Sequence, residues 1–386
     1  MAQALINHKI IPWACHRADM DLYLLANKMK INVEKLKKWE SGEAKPTFKQ
    51  AQKLAKYLHI PFGYLFLAEA PTETIPVTDF RTIGNHQAQV LSVDLKDLLN
   101  DLVLKQSWYK EYVRDYFGDP VKVIGRFSCN DTPEKIATDI TAKLNLTLQD
   151  RKLARNTKEL YNLLVGRIEQ YHILVMKSGV VGSNTHRTLD LDEFRGISIY
   201  DDYAPLIFIN GRDVAAAQLF TLVHELAHLW IGEGGISNHP LESKVISTAN
   251  ATEKLCNAVA GEVLVPQDIL INHWDSSKSI DEITAKLRRN LFRVSQVVIA
   301  RRACDINLIS WKDYTSFYAE QVKRWKKPKG SGGNSYNTIP VRNSKAFTNA
   351  VVQQAKANGI LLRDAGKLLG VSPASISKLA THIGVR

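Results

Sequence analysis

The sequence has few cysteines and no long uninterrupted apolar segment. Four cysteines occur in 386 residues, with no C-x-x-C pair among them: Cys15, Cys129, Cys256 and Cys304. Such scattered cysteines indicate neither a disulfide framework nor a zinc ribbon. The first residues lack the basic and then apolar pattern of a secretory signal, and no uncharged apolar run reaches about eighteen residues. We therefore expect reduced thiols, no export, no membrane span and a cytoplasmic location.

Acidic residues are scarce at the two ends of the chain. The net charge is +12, but residues 1–70 hold 11 Lys and Arg against 6 Asp and Glu, and residues 321–386 hold 12 against 1. Residues 71–320 are left with 28 against 32 and are slightly acidic. Basic ends indicate contact with an anionic polymer, most simply nucleic acid, although a charge of this sign also serves solubility alone.

Residues 20–67 show apolar positions at helical spacing, with short breaks. One run begins at Leu22, a turn follows at Lys30-Ile31-Asn32, and Asn32 is placed to cap a second helix that ends near Ser41-Gly42. Pro46-Thr47 opens a further helix. Two helices joined by a tight turn form a helix-turn-helix, in which the second helix enters the major groove of DNA.

This segment resembles the XRE or Cro/C1-type helix-turn-helix family. The resemblance rests on Leu25-Ala26, Val33, Leu36, Trp39-Glu40, Gly42, Pro46-Thr47 and Leu54-Ala55. It implies a five-helix domain over residues 1–70. The candidate reading helix exposes Lys35, Lys37 and Lys38, which suit phosphate contact, but it lacks the Gln, Asn or Arg side chains that usually read bases. Contact with a protein instead of DNA is therefore an open alternative.

A Pro- and Thr-rich linker is predicted over residues 71–90, and β-branched runs appear later in the segment 91–327. These runs cover residues 173–177, 196–200 and 205–210, and the last two are joined by Asp201-Asp202 as in a hairpin. They predict a small antiparallel sheet. Its edge would suit an extended peptide, which pairs through its backbone, although the sheet could also serve only as support.

The stretch Leu219–Trp230 contains the sequence His-Glu-Leu-Ala-His. His224 and His228 are four residues apart, so a helix places both imidazoles on one face. In the H-E-x-x-H arrangement two neutral histidines bind zinc, and a glutamate at the position of Glu225 takes a proton from water. Apolar flanks predict that the helix is buried. Two ordinary core histidines are the alternative.

A catalytic zinc ion needs a third protein ligand. The residue six beyond His228 is Gly234, so the metzincin pattern is absent. Glu253 and Asn257 are four apart on a downstream helical pattern, and we predict Glu253 as the ligand and Asn257 as a side chain that orients a histidine or Glu253. The competing ligands are Glu233, His239, Glu242 and Glu262. The oxyanion donor stays open among Tyr200, Arg301 and a tyrosine of the tail.

Three stretches resemble the ImmA/IrrE metallopeptidase family, a gluzincin-like group often fused to an XRE domain. They are residues 205–210, residues 220–228 and the spacing of Glu253, Asn257, Ala260 and Leu264-Val265-Pro266. The resemblance implies zinc bound by His224, His228 and Glu253, with Glu225 as the catalytic base. Cys256 stands where the family more usually has Ala. Members with this layout cleave repressors of mobile elements or stress genes.

The carboxyl-terminal part begins with a basic, Gly-rich stretch, and we predict a flexible linker over residues 328–342. Residues 343–386 then resemble a second helix-turn-helix, with a turn at Gly370 and a helix capped by Ser372 with Pro373 at its first position. Ser375, Ser377 and Lys378 would face a groove. A small helical cap packed on the preceding domain is the alternative.

These patterns together predict a mostly helical α+β protein. A zincin-like core over residues 91–327, with a small antiparallel sheet, would lie between helix-turn-helix modules. The corresponding function is a cytoplasmic zinc endopeptidase that cleaves a repressor or other regulatory protein, held near a DNA-bound substrate by its terminal modules. The alternative is a DNA-binding transcriptional regulator, or an antitoxin-like protein, with a structural or vestigial zinc site.

Overall fold

The computed structural model describes residues 2–72, 78–79, 91–237, 251–324 and 335–385. This part of the chain is mostly helical, with eighteen α-helices and a five-stranded sheet, which confirms the predicted α+β class. The chain divides into two compact units, residues 1–76 with 89–100 and residues 77–88 with 101–386. Among the described helices, none has the length and apolar character needed to cross a membrane.

The first unit contains four α-helices and a 3₁₀-helix. These are α1 (Ile10–Arg17), α2 (Leu22–Met29), α3 (Val33–Glu40), α4 (Phe48–Tyr57) and the 3₁₀-helix Phe62–Phe66. Asn32 caps α3 by accepting a hydrogen bond from the backbone N–H of Glu34 at 2.9 Å. Lys30, with a φ of 57°, ends α2 in the left-handed region and gives the tight turn before α3. The predicted helix-turn-helix is therefore present, and its fifth helix is a 3₁₀-helix.

Apolar faces of these helices form the core of the first unit. Leu25 of α2, Leu36 and Trp39 of α3 and Leu54 of α4 are all buried. Because these side chains recur three or four positions apart, each helix buries one face and exposes the other. The lysines of α3 therefore lie on its solvent side.

The second unit contains the sheet and the remaining helices. Its elements are β1 (Thr78–Asp79), α5 (Val93–Tyr116, which begins before the unit boundary), α6 (Pro133–Lys143), α7 (Leu148–Leu153), α8 (Thr157–Glu169), β2 (Leu174–Ser178), β3 (Gly196–Ile199), β4 (Leu206–Asn210), α9 (Ala215–Trp230), β5 (Gly235–Ser237), α10 (Ala251–Leu264), α11 (Gln267–His273), α12 (Ile280–Leu287), a π-helical turn (Arg288–Phe292), α13 (Gln296–Asp305), α14 (Trp311–Arg324), α15 (Ser335–Asn343), α16 (Lys345–Lys356), α17 (Leu362–Leu369) and α18 (Ser375–Ile383).

The sheet has the strand order β1-β5-β3-β4-β2 and is mixed. Strand β3 is antiparallel to β4, as the hairpin prediction required, and also to β5, which was not predicted, whereas β2 is parallel to β4 and β1 is parallel to β5. The prediction of an antiparallel sheet was therefore wrong for β2, and strands β1 and β5 were not predicted. Strand β4 is buried along its whole length, and such a continuous apolar run does not encode the direction of its neighbours.

Helix α9 lies against this sheet and is enclosed on its other sides. It contacts β3 and β4 on one side, and α8 and α10 pack against it elsewhere. Leu222, Val223, Leu226 and Leu229 are all fully buried, although they point in different directions around the helix axis. The sequence prediction of a buried helix is confirmed.

The carboxyl-terminal segment packs on the rest of its unit. Helix α15 contacts β2, and the buried Ser344 hydroxyl donates a hydrogen bond of 2.6 Å to Glu169 at the end of α8. The predicted linker over residues 328–342 was therefore wrong for residues 335–342, which belong to α15. Pro340 lies inside that helix and removes a backbone donor, so the sequence disfavoured a helix that the burial of Ile339 stabilises. Helix α18 begins at Ser375, later than predicted.

Candidate metal centre

Two imidazoles meet on one face of α9. The Nε2 atoms of His224 and His228 are 3.1 Å apart, and both side chains are buried. Their separation of four residues stacks them one helical turn apart. Two ring nitrogens this close share one small volume, as the H-E-x-x-H spacing predicted.

Helix α10 supplies a carboxylate to the same volume. Oε2 of Glu253 lies 3.2 Å from Nε2 of His224, and Oε1 lies 3.2 Å from Nε2 of His228. The side chain of Glu253 is 1% exposed. One donor atom from each of the three residues lies within 4.8 Å of the other two. Within the residues that the structure describes, this is the group of metal-ligating side chains that could hold a metal ion.

Glu225 lies on α9 beside the three donors and is fully buried. Burial raises the pKa of its carboxyl to about 7, while the charge of His228 and the hydroxyls of Ser198 on β3 and Ser237 on β5 act in the lowering direction. A carboxyl that titrates near neutrality can both accept and return a proton at physiological pH. This is the property that a general base needs.

The approach of α9 to the sheet depends on a glycine. A Cβ atom at Gly196 of β3 would lie 2.3 Å from Oε1 of Glu225 and 2.5 Å from Cγ2 of Thr221, both on α9. Real carbon atoms do not approach other groups this closely. The absence of a side chain at Gly196 therefore leaves the space between α9 and β3 that the Glu225 carboxylate occupies.

A thiol that the sequence analysis did not assign to the site contacts His228. The side chain of Cys256 is fully buried on α10, and burial raises the pKa of its thiol. Burial alone would lower the pKa of His228, but its contacts with Cys256 and Glu253 outweigh this effect and raise the pKa well above the ordinary value. Cys256 follows Glu253 by three residues, so helical spacing could have placed it on the same face.

Asn257 was predicted to orient a histidine or Glu253, and that role stays a prediction. Its side chain is half-buried and forms no hydrogen bond within the described part of the chain. The competing ligands also have other partners. Glu262 pairs with Arg302, and Glu233 accepts a hydrogen bond of 3.3 Å from the thiol of Cys129. His239 and Glu242 lie outside the described residues.

The three candidate oxyanion donors have contacts of their own. The hydroxyl of Tyr200 donates to Asp202 at 2.9 Å, and Nε of Arg301 donates to Asp305 at 2.9 Å. In the tail, the ring of Tyr336 lies 5.9 Å from that of His382. These contacts assign none of the three to the metal centre. Strand β3, which faces Glu225, is flanked by β4 and β5, so β1 and β2 are the edge strands of the sheet and peptide pairing at an edge stays a prediction.

The predicted nucleic-acid contacts lie at exposed positions. Lys35, Lys37 and Lys38 are exposed on α3, where Nζ of Lys37 is 2.9 Å from Glu34. At the other end of the chain, Lys378 is exposed on α18, and the hydroxyl of Ser375 is 2.7 Å from that of Ser372. The four lysines are therefore accessible to solvent, whereas Ser375 is half-buried.

The geometry agrees with comparisons with protein families. Residues 169–303 match the family model Peptidase_M78, described as the IrrE N-terminal-like domain, and this range contains α9 and α10. Residues 17–65 match the helix-turn-helix model HTH_3, and residues 343–382 match a domain of unknown function, DUF8813. The search of curated proteins gave no match. The combination of domains is that of a protease or regulator of the ImmA/IrrE type.

The three donors of this IrrE-like domain fit a zinc ion. Zinc accepts histidine nitrogen and carboxylate oxygen, and catalytic zinc sites commonly combine two histidines with one glutamate. The carboxylate of Glu253 is buried, where an anion is costly without a positive partner. A cation among the three donors would contact two imidazole nitrogens and one carboxylate oxygen, so the donor types favour a metal.

We expect the purified protein to hold about one zinc ion per chain, and the Glu253→Gln and His228→Ala variants to lose it. Removal of a direct ligand should weaken zinc binding by more than about a hundredfold, because even the loss of an outer partner costs 10- to 100-fold. Metal content by mass spectrometry and competition with a chelating dye measure the effect. The matched control is Glu233→Gln, and equal zinc loss in that variant would contradict the assignment of Glu253.

The close approach of α9 to Gly196 predicts that a side chain at this position destabilises the protein. Gly196→Ala should reduce the free energy of unfolding by about 1–3 kcal/mol and weaken zinc binding, because the added methyl group displaces α9. Gly166→Ala is the control, since Gly166 lies inside α8 with no heavy atom within 4 Å of an added Cβ. The control should raise stability by roughly 0.5–1 kcal/mol. Denaturant unfolding of both variants measures the difference, and equal stabilities would refute the packing argument.

Proposed function

We propose that the protein is a cytoplasmic zinc-dependent endopeptidase that cleaves a repressor or other regulatory protein. The observation that carries the proposal is the convergence of His224, His228 and Glu253 beside the buried carboxyl of Glu225. A structural zinc site closes its coordination sphere with four protein ligands, whereas three ligands with an adjacent base suit catalysis. The IrrE-like domain match supports the peptidase class.

Each group has a definite part in peptide hydrolysis. A zinc ion, when bound by the three donors, supplies Lewis acidity to a water molecule and to the peptide carbonyl. Glu225 accepts a proton from the attacking water as its oxygen bonds to the carbonyl carbon. Glu225 then returns that proton to the leaving nitrogen as the carbon–nitrogen bond breaks. Ser198 and Ser237 act to lower the pKa of Glu225, but burial outweighs them and leaves this pKa raised.

The helix-turn-helix supports a regulatory protein as the substrate. Exposed lysines on α3 provide positive charge for the phosphates of DNA. A peptidase held on DNA beside a DNA-bound repressor would meet that repressor at a raised effective concentration. The resemblance to ImmA/IrrE peptidases, which cleave repressors, points to the same substrate class. The carboxyl-terminal module could add a second contact through Ser375 and Lys378.

Replacement of Glu225 separates metal binding from proteolysis. We expect Glu225→Gln to retain zinc and to lower the cleavage rate by at least about a hundredfold, because the amide cannot accept the proton. The measurement compares new protein amino termini in an extract of the source cells after addition of the wild type or the variant. Glu233→Gln is the control and should keep full activity. Cleavage at the wild-type rate by a zinc-loaded Glu225→Gln variant would disprove the proposed catalytic role.

A second candidate function is a DNA-binding transcriptional regulator, or an antitoxin-like protein, in which zinc is structural or vestigial. The exposed lysines of α3 and the helix-turn-helix match favour DNA binding. In this case Glu225→Gln would leave regulation of the target gene intact. In the peptidase case the same variant would abolish regulation even if it still bound DNA.

DNA binding itself can be tested on α3. We expect the triple variant Lys35→Gln, Lys37→Gln and Lys38→Gln to bind DNA more weakly. The slope of log affinity against log salt should become shallower by about 0.9 for each phosphate that the variant no longer neutralises. Fluorescence anisotropy at several salt concentrations measures both quantities. Lys56→Gln, on the exposed side of α4, is the control. An unchanged slope in the triple variant would remove α3 from the DNA interface.

A further inference from the structure

The second unit contains a cavity into which four arginines converge. Its volume is about 330 Å³, and its lining includes Arg155, Thr157, Arg288, Arg289, Arg293 and Gln296. None of the three metal donors, nor Glu225, belongs to the lining. The function proposed above does not use this cavity.

The arginines come together because of a widened helical turn. Helix α12 continues into the π-helical turn Arg288–Phe292, where the buried Leu291 and Phe292 anchor one side and leave Arg288 and Arg289 exposed on the other. Arg293 then leaves the helix with a φ of 57°, and its guanidinium donates to the carbonyl oxygens of Arg289 and Lys152. π-Helical turns often occur at functional sites.

The cavity has an excess of positive charge. Glu159 pairs with Arg155 at 2.8 Å, but Arg288 and Arg289 have no carboxylate partner within the described residues. The amide of Gln296 donates to Asp281, whose carboxylate pairs with Arg324. Like charges gathered around one concave volume repel one another, so an anion in that volume would stabilise the arrangement.

Two helix amino termini add to this potential. Thr157 is the first residue of α8, and Gln296 is the first residue of α13; both line the cavity. The amino terminus of a helix carries a partial positive charge and favours anions. The thirteen-residue α8 is held to the arginine segment by a hydrogen bond of 2.8 Å from the Thr157 hydroxyl to the Arg293 carbonyl oxygen. The two termini and the guanidinium groups therefore act on the same space.

We propose that this cavity binds a small phosphate-bearing ligand. Guanidinium groups match the geometry of phosphate oxygens and form two parallel hydrogen bonds to them. The volume lies at the lower end of the range for small-molecule sites, which suits one phosphate group with a compact organic part. Duplex DNA needs an extended surface, whereas these side chains surround a single concave space.

The test measures binding of AMP and of inorganic phosphate to the full chain by calorimetry, in the Glu225→Gln background so that proteolysis does not enter. We expect saturable binding of AMP. The double variant Arg288→Gln with Arg289→Gln should bind AMP at least tenfold more weakly, because it lacks both the charge and the bidentate donors. Lys286→Gln is the matched control, since Lys286 is exposed on α12 and does not line the cavity.

Unfolding temperatures without ligand verify that each variant is folded. Arg155→Gln provides a second variant, and its replacement should not disturb the fold because the Arg155 side chain is 85% exposed. AMP that binds more tightly than inorganic phosphate supports a nucleotide ligand, and equal affinities support recognition of the phosphate group alone. The proposal is overturned if neither probe binds, or if the double variant binds both as the wild type does. An oligothymidylate that binds when neither small probe does would also overturn it, in favour of a nucleic-acid surface.

Discussion

The burial of ionisable groups between α9 and α10 is the constraint on which the central domain depends. His224, His228, Glu225 and Glu253 are all almost inaccessible to water. Such groups cost free energy unless each has a partner of suitable charge or hydrogen-bonding capacity. The buried groups would therefore be stabilised by a positive charge among the donors. The helix that carries three of them is held in place by apolar surroundings on all sides of α9. The fully buried leucines of α9 provide these apolar surroundings, and the carboxylate of Glu253 supplies negative charge among the donors.

The sheet leaves room for Glu225 at one position and places hydroxyl groups near it at two. Gly196 leaves room for Glu225, and the next inward-facing residue of β3 is Ser198, two positions along the strand. On the neighbouring strand, Ser237 pairs with Gly196 in register. The carboxylate thus meets a glycine and two hydroxyl groups where most sheet faces present branched apolar side chains. A surface of this composition admits a carboxyl group without leaving it in purely apolar surroundings.

The sequence predicts well which side chains share one face of a helix, because helical spacing fixes their relative positions. It placed His224 beside His228 and put Glu253 on a neighbouring helix, and the structure brings the three together. Cys256 was missed, because positions three and four after Glu253 both fall near its face of the helix and the spacing alone favoured Asn257. Strand direction and helix α15 were also missed, because pairing partners lie far apart in the chain and Pro340 opposes a helix that tertiary burial stabilises. These features depend on contacts between distant segments.

The charge of a sequence segment also fails to predict a site that forms only when distant segments meet. Residues 71–320 carry more acidic than basic side chains, so a count by segment assigns no anion site to them. Folding brings the start of α8 to the segment that follows α12, and arginines from two segments more than a hundred residues apart then share one cavity. The same unit holds an anionic set of donors at α9 and α10. Two sites of opposite charge in one unit would suit ligands of opposite sign, and the net charge of the segment, being their sum, reveals neither.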